Sequence, residues 1–139
     1  MSENFQPEIM ILFCRQSVDP ATDLARAAGL ARNCVLRMVA LPCSSKVEVP
    51  HIMRVLEDGA DGVLVVACPE HACRFMVGNT RAEKRINYAR GLLETVGMGA
   101  ERLALARGAK LSAEALAELG NSRGRAVEPL GANPLRRRK

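Results

Sequence analysis

Apolar residues along this chain fall into four short runs, separated by longer stretches where they recur at every third or fourth position. The runs are EIMILFC (Glu8 to Cys14), CVLRMVAL (Cys34 to Leu41), GVLVVAC (Gly62 to Cys68) and ERLALA (Glu101 to Ala106). Near-continuous runs this short predict strands covered on both faces. Between them, Leu24, Ala27, Ala28 and Ala31 have helical spacing, as do Val49, Ile52, Met53 and Leu56. A third helical stripe is formed by Ala82, Ile86, Ala89, Leu93 and Val96.

Local signals place the boundaries. Asp19-Pro20 predicts the first helix start, with Asn33 at its end. Pro42-Cys43 closes the second strand. The second helix is expected from Val47 to Asp58, with Gly59 as its C-terminal glycine. Thr80 and Glu83 have capping-box spacing for the third helix, which Gly97 and Gly99 stop. Ser112 caps a last helix running through Leu119. Residues 1–119 are thus expected to form one α/β domain, and 120–139 an irregular basic tail.

Strands and helices alternate, so consecutive strands are expected to be parallel with right-handed helical crossovers. The predicted fold class is α/β: a small parallel sheet of about four strands with helices on its faces, layered as in flavodoxin or thioredoxin. No internal repeat interrupts this order.

That topology gives the cysteines their interest. Cys14 ends the first strand, Cys43 follows the second, Cys68 ends the third and Cys73 lies in the loop after it. All C-terminal strand ends of a parallel sheet share one edge, where open α/β folds place their sites. Four converging thiols suit tetrahedral zinc or an iron–sulfur cluster, and the spacing alone leaves both open. Cys34 starts the second strand, on the opposite edge, and reads as a small buried hydrophobe. His71 lies between Cys68 and Cys73 as a lesser ligand candidate, and His51 reads as a surface residue.

Composition narrows the field further. Aromatic residues make up 3% of the chain and there is no Trp, so stacking platforms for single-stranded nucleic acid have little to build on. The net charge of +5 comes with no helix-turn-helix or RNA-binding motif, so no nucleic-acid partner is expected. The N-terminal segment does not read as a signal peptide, and no apolar run approaches the about 20 residues of a membrane helix. A cytoplasmic location without a membrane span is expected. Five cysteines in that compartment read as ligands, redox thiols or small hydrophobes rather than disulfides. Cys14-Arg15-Gln16-Ser17 lacks the second thiol of a C-x-x-C couple. Neither a dinucleotide nor a P-loop glycine motif is present.

At these residues the chain resembles the delta subunit family of methyl-viologen-reducing hydrogenase, the hydrogenase iron–sulfur subunits found with heterodisulfide-reductase-like complexes. The likeness runs from about Glu8 to about Leu105. FCRQS stands where the family has a C-x-x-C-like strand end, with Ser17 in place of the second cysteine. LPCSSKVEVP matches a Cys-Ser-Gly-like turn, with Ser45 in place of Gly. The most specific block is DGADGVLVVACPEHACRFMVGNTRAEKR. The resemblance implies a [2Fe–2S] cluster held by Cys14, Cys43, Cys68 and Cys73. It implies electron relay between a hydrogenase or formate dehydrogenase and the flavin and iron–sulfur subunit of a heterodisulfide-reductase-type, electron-bifurcating complex. Gly78 and Asn79 match the family block and are expected to make a turn at the cluster edge, ahead of the helix.

Arg74, Arg81, Lys84 and Arg85 form a basic segment. It is either a solvated helix face or a contact for an acidic partner beside the cluster. No Ser/His/Asp or carboxylate-pair arrangement points to chemistry of the chain's own. The expectation is a non-catalytic electron-transfer subunit. Its rivals are a scaffold module with structural zinc on four cysteines, a thiol oxidoreductase using Cys68 and Cys73, and a metal-free flavodoxin-like regulatory domain.

Overall fold

The computed structural model describes residues 6–41, 49–67 and 78–134, and the backbone alone of Gln16 and residues 78–82. The elements alternate as expected. They are β1 (Glu8–Cys14), a 3-10 turn (Arg15–Ser17), α1 (Leu24–Leu30), β2 (Val35–Leu41), α2 (Val49–Glu57), β3 (Gly62–Ala67), α3 (Gly78–Thr95), a 3-10 turn (Ala100–Arg102), β4 (Leu103–Arg107), α4 (Ala113–Val127) and a 3-10 turn (Glu128–Leu130). The strands form one parallel sheet in the order β2-β1-β3-β4. The chain winds outward from β1 in both directions, so the order reverses between β1 and β3.

Two cores sandwich the sheet. On one face Ile9, Ile11, Phe13, Leu64 and Val66 meet Ala27 of α1 and Leu116 and Val127 of α4. On the other face Leu12, Val63, Val65 and Leu103 meet Ile52 and Leu56 of α2 and Ile86, Ala89 and Leu93 of α3. β3 is buried throughout, as its unbroken apolar run requires. β2 differs from its expectation. It is an edge strand, and Val35 and Val39, on the same face as buried Leu41, are each 44% exposed.

Several boundaries move for identifiable reasons. Asp23, not Asp19, caps α1, its side chain accepting from Ala25 and Arg26 N–H. Asp19 instead turns the chain locally by accepting from Ala21 N–H. α3 begins at Gly78, so Thr80 lies inside the helix rather than at its cap, and Gly78 and Asn79 belong to the first turn rather than to a turn before it. Val96, expected on the buried stripe, is 67% exposed. Gly59, at φ 117°, closes α2 in the left-handed region where glycine is favoured. Ser112 caps α4 as expected, accepting from Ala115 N–H.

The largest correction concerns 120–127, expected to be irregular. α4 continues through them to Val127. Its glycines are contact points rather than breakers. A Cβ on Gly120 would lie 2.6 Å from Leu36 Cδ1, and one on Gly124 would lie 3.1 Å from Cys34 Cβ. The helix therefore sits close against β2 and the loop before it.

Beyond α4 the chain is fastened to the N-terminal edge of the sheet. The side chain of Asn133 donates to Leu56 O at 2.7 Å and Ala60 O at 2.6 Å, and its N–H donates to Asp61 Oδ1 at 2.7 Å. Arg102, 2% exposed, donates to Met98 O, Asp61 O and Gly131 O. Burial lowers its guanidinium from the ordinary value, while the Asp61 charge opposes that shift. A buried cation lacking such acceptors would be costly. No helix among the described residues is long and apolar enough to cross a membrane.

Candidate metal centre at the C-terminal edge of the sheet

Cys14 is the last residue of β1 and is 2% exposed. It pairs with Leu41, the last residue of β2. On its other side, Phe13 pairs with Val66, so Cys14 stands one step along the strand beside Ala67, the end of β3. Ala67 in turn pairs with Arg107, the end of β4. Leu41, Cys14, Ala67 and Arg107 thus form a row across the sheet. Partners in a parallel ladder share a face, and this face is the one covered by α2 and α3.

Two local devices fix the row. The 3-10 turn after Cys14 brings the hydroxyl of buried Ser17 to the Cys14 carbonyl oxygen, 2.6 Å away. The loop between β4 and α4 then braces two strand ends. Gly108 N–H donates to Ala67 O at 2.9 Å, and Leu111 N–H donates to Ser17 O at 3.0 Å. Leu111 O accepts from Asp19 N–H and from the Thr22 hydroxyl. A Cβ on Gly108 would lie 2.5 Å from Leu111 Cδ1, so any larger residue requires the Leu111 side chain to move. Lys110 in the same loop holds φ at +51°.

Of the four expected ligands, Cys14 alone is within the described residues; Cys43, Cys68 and Cys73 lie outside them, as do Arg74 and His71. In the sequence, Cys68 directly follows Ala67 and Cys43 is the second residue after Leu41. Gly78, Asn79 and Arg81 are in the first turn of α3, with backbones described. Lys84 is exposed and Arg85 half-buried on the same helix. Among the described residues no three Cys, His, Asp or Glu side chains form a group that could hold a metal ion.

Cys34 is kept apart from this edge. It precedes Val35, which pairs with Glu8 at the start of β1, whereas Cys14 closes the same strand. Cys34 is 5% exposed, its Sγ is 3.8 Å from Asn121 Oδ1, and burial pushes its thiol above its ordinary value. His51 is exposed. A groove of about 480 Å³ lined by Arg32, Asn33, Glu118 and Asn121 runs along α1 and α4, on the other face of the sheet from Cys14.

One residue of the edge escaped the sequence reading. Arg107 extends β4 one position beyond the apolar run. Its Nη2 is 3.1 Å from Glu83 Oε1 on α3. Its Nη1 is buried without a hydrogen-bond partner among the described residues. A cation directly after ERLALA was the available signal.

Two described features bear on a thiolate-held metal group. Cys14 is a buried free thiol on a strand end, and Arg107, in the same row of strand ends, carries a buried N–H without a partner among the described residues.

A family described as methyl-viologen-reducing hydrogenase, delta subunit, matches residues 9–131. The vhu iron–sulfur subunit of the F420-non-reducing hydrogenase of Methanocaldococcus jannaschii is 32% identical over 130 residues, covering 94% of this chain and 97% of that protein. The iron–sulfur subunit of the F420-non-reducing hydrogenase of Archaeoglobus profundus is 33% identical over 105 residues, 76% of this chain and 77% of that protein. A relative of another kind is a longer polypeptide, one of the subunits of the ferredoxin/F420H2-dependent CoB-CoM heterodisulfide reductase of Methanosarcina acetivorans. It is 28% identical over 97 residues, 70% of this chain but 12% of that protein.

Proposed function

The chain belongs to the methyl-viologen-reducing hydrogenase delta subunit family, and from that membership we propose that it is a non-catalytic electron-transfer subunit with one [2Fe–2S] cluster. Cys14, Cys43, Cys68 and Cys73 are its ligands. Its partners are an oxidoreductase of hydrogenase or formate-dehydrogenase type and the flavin subunit of a heterodisulfide-reductase-like, electron-bifurcating complex.

The observation that carries this proposal is the row of strand ends. Cys14 is locked beside Ala67 and in register with Leu41. In the sequence Cys68 directly follows Ala67, and Cys43 is the second residue after Leu41. Ligands spread over separate strands suit two irons better than the two close pairs typical of structural zinc.

When bound, the cluster would supply a one-electron centre. The chain's own part is positional. β1 and the Ser17 hydrogen bond hold the Cys14 backbone, and the Gly108–Leu111 loop holds the ends of β1 and β3 in register. Such rigid support keeps ligand geometry from drifting. Gly78 and Asn79, in the first helical turn of α3, offer backbone close to the cluster edge. Arg74, Arg81, Lys84 and Arg85 offer positive charge to an acidic partner surface. The heterodisulfide reductase relatives, in which a match to this chain makes up 12% of a longer protein, support a partner of that type.

Ligand substitution tests the proposal. Replacing Cys14, Cys43, Cys68 or Cys73 singly with Ser is expected to lower iron per chain after anaerobic purification, and Cys34→Ser to leave it unchanged. Wild-type iron content in any of the first four would remove that residue from the ligand set.

A further inference from the structure

We propose that Arg107 sets the reduction potential of the centre on this edge, with Glu83 holding it in place; this rests on the cluster reading above. Arg107 pairs with Ala67, and Cys14 is the next strand across. Two strand spacings put the Arg107 and Cys14 Cα atoms about 10 Å apart, and both residues share the α2/α3 face. A Cα separation of about 10 Å is near the Debye length at 0.1 M salt, so a charge on Arg107 can act on a centre at this edge.

The side chain is committed on one side only. Nη2 meets the Glu83 carboxylate at 3.1 Å. Nη1 is buried and has no acceptor among the described residues. Leaving a buried donor without a partner is costly, more so for a charged group, so native proteins seldom do it. Guanidinium carries five N–H donors and no acceptor capacity, so it needs an electron-rich neighbour. Anionic sulfurs of a cluster at this edge are such a neighbour.

The sign follows from charge. Reduction adds one negative charge to the centre. A fixed cation and an N–H donor stabilise the reduced form more than the oxidised form, and the potential rises. Glu83 works in the opposite direction through its own charge, weakened by its 52% exposure. The bland account makes the pair a tether between α3 and β4. In that case losing either partner costs stability and leaves the potential alone.

The test is a potentiometric titration of the anaerobically purified full chain, followed by absorption and electron paramagnetic resonance. Arg107→Gln is expected to lower the midpoint potential by about 59 mV or more, a tenfold change in a one-electron equilibrium. Arg107→Lys, which keeps the charge, is expected to recover most of that shift. Glu83→Gln is expected to raise the potential by a smaller amount, although it breaks the same ion pair. Arg26→Gln, which breaks an exposed pair with Glu114 on the other face, serves as the control with no shift. A cluster-bearing Arg107→Gln protein at the wild-type potential overturns the proposal and leaves the tether. If Arg107→Gln does not fold, an unmoved potential in Glu83→Gln overturns it equally. A wild-type chain without iron sinks the cluster reading itself, and this proposal with it.

Discussion

The hydroxyl of Ser17 donates a 2.6 Å hydrogen bond to the carbonyl oxygen of Cys14. Ser17 is fully buried and Cys14 nearly so, so water is poorly placed to replace the bond. Ser17→Ala is expected to lower the unfolding free energy by about 1–3 kcal/mol, read from urea unfolding. Ser17→Cys, a weaker donor of similar size, is expected to cost less and to add no iron, because the proposed ligand set does not include this position.

Asn133 fastens the chain after α4 to the opposite edge. Its side chain satisfies Leu56 O and Ala60 O, 77 and 73 residues away in sequence. Asn133→Ala leaves two buried carbonyls without that donor and is expected to cost about 2–6 kcal/mol, from about 1–3 for each group. Unfolding in denaturant, with the slope unchanged, is the check. A loss near zero would mean that the segment contributes nothing to the fold.

Two helical glycines should respond in opposite directions. On α3, a Cβ added at Gly91 would meet nothing within 4 Å among the described residues, so Gly91→Ala is expected to stabilise by about 0.5–1 kcal/mol through helix propensity and backbone entropy. Gly120 on α4 is pressed against Leu36. Gly120→Val is expected to destabilise by about 1–3 kcal/mol through overpacking. Paired thermal melts of the two variants would show it.

Cys34 gives a pH signature. Burial raises its thiol above the ordinary value of 9.0. The unfolded chain therefore ionises this thiol first as pH rises. Its stabilising contribution is complete below the unfolded value and is lost as pH climbs through the folded one. Cys34→Ala is expected to flatten the alkaline fall in stability relative to wild type. Equal alkaline slopes in the two proteins would contradict this.

What could be read from sequence was local. Each strand announces itself by an apolar run of about five to eight residues, and the cysteine at the end of the first run needed no tertiary information to place. The Ser112 cap was equally local. Asp19-Pro20 misled because Asp23 offers the same capping chemistry one helical turn later, and only the helix position decides between them. Gly120 and Gly124 looked like breakers; whether a glycine breaks a helix or lets another element approach depends on a neighbour distant in sequence. The Asp61–Arg102–Asn133 fastening joins three separated segments and left no periodic trace. Arg107 was missed because a cation after a strand is usually a solvated end, and its orphaned N–H exists only in three dimensions.

The central claim is that this edge holds an iron–sulfur cluster. Anaerobic purification of the wild-type chain, followed by iron, labile sulfide and zinc analysis with an absorption spectrum, tests it most directly. About two irons and two sulfides per chain, with a red-brown colour bleached by dithionite, is the expected result. One zinc per chain with no visible absorption would contradict it and identify a structural four-cysteine site instead.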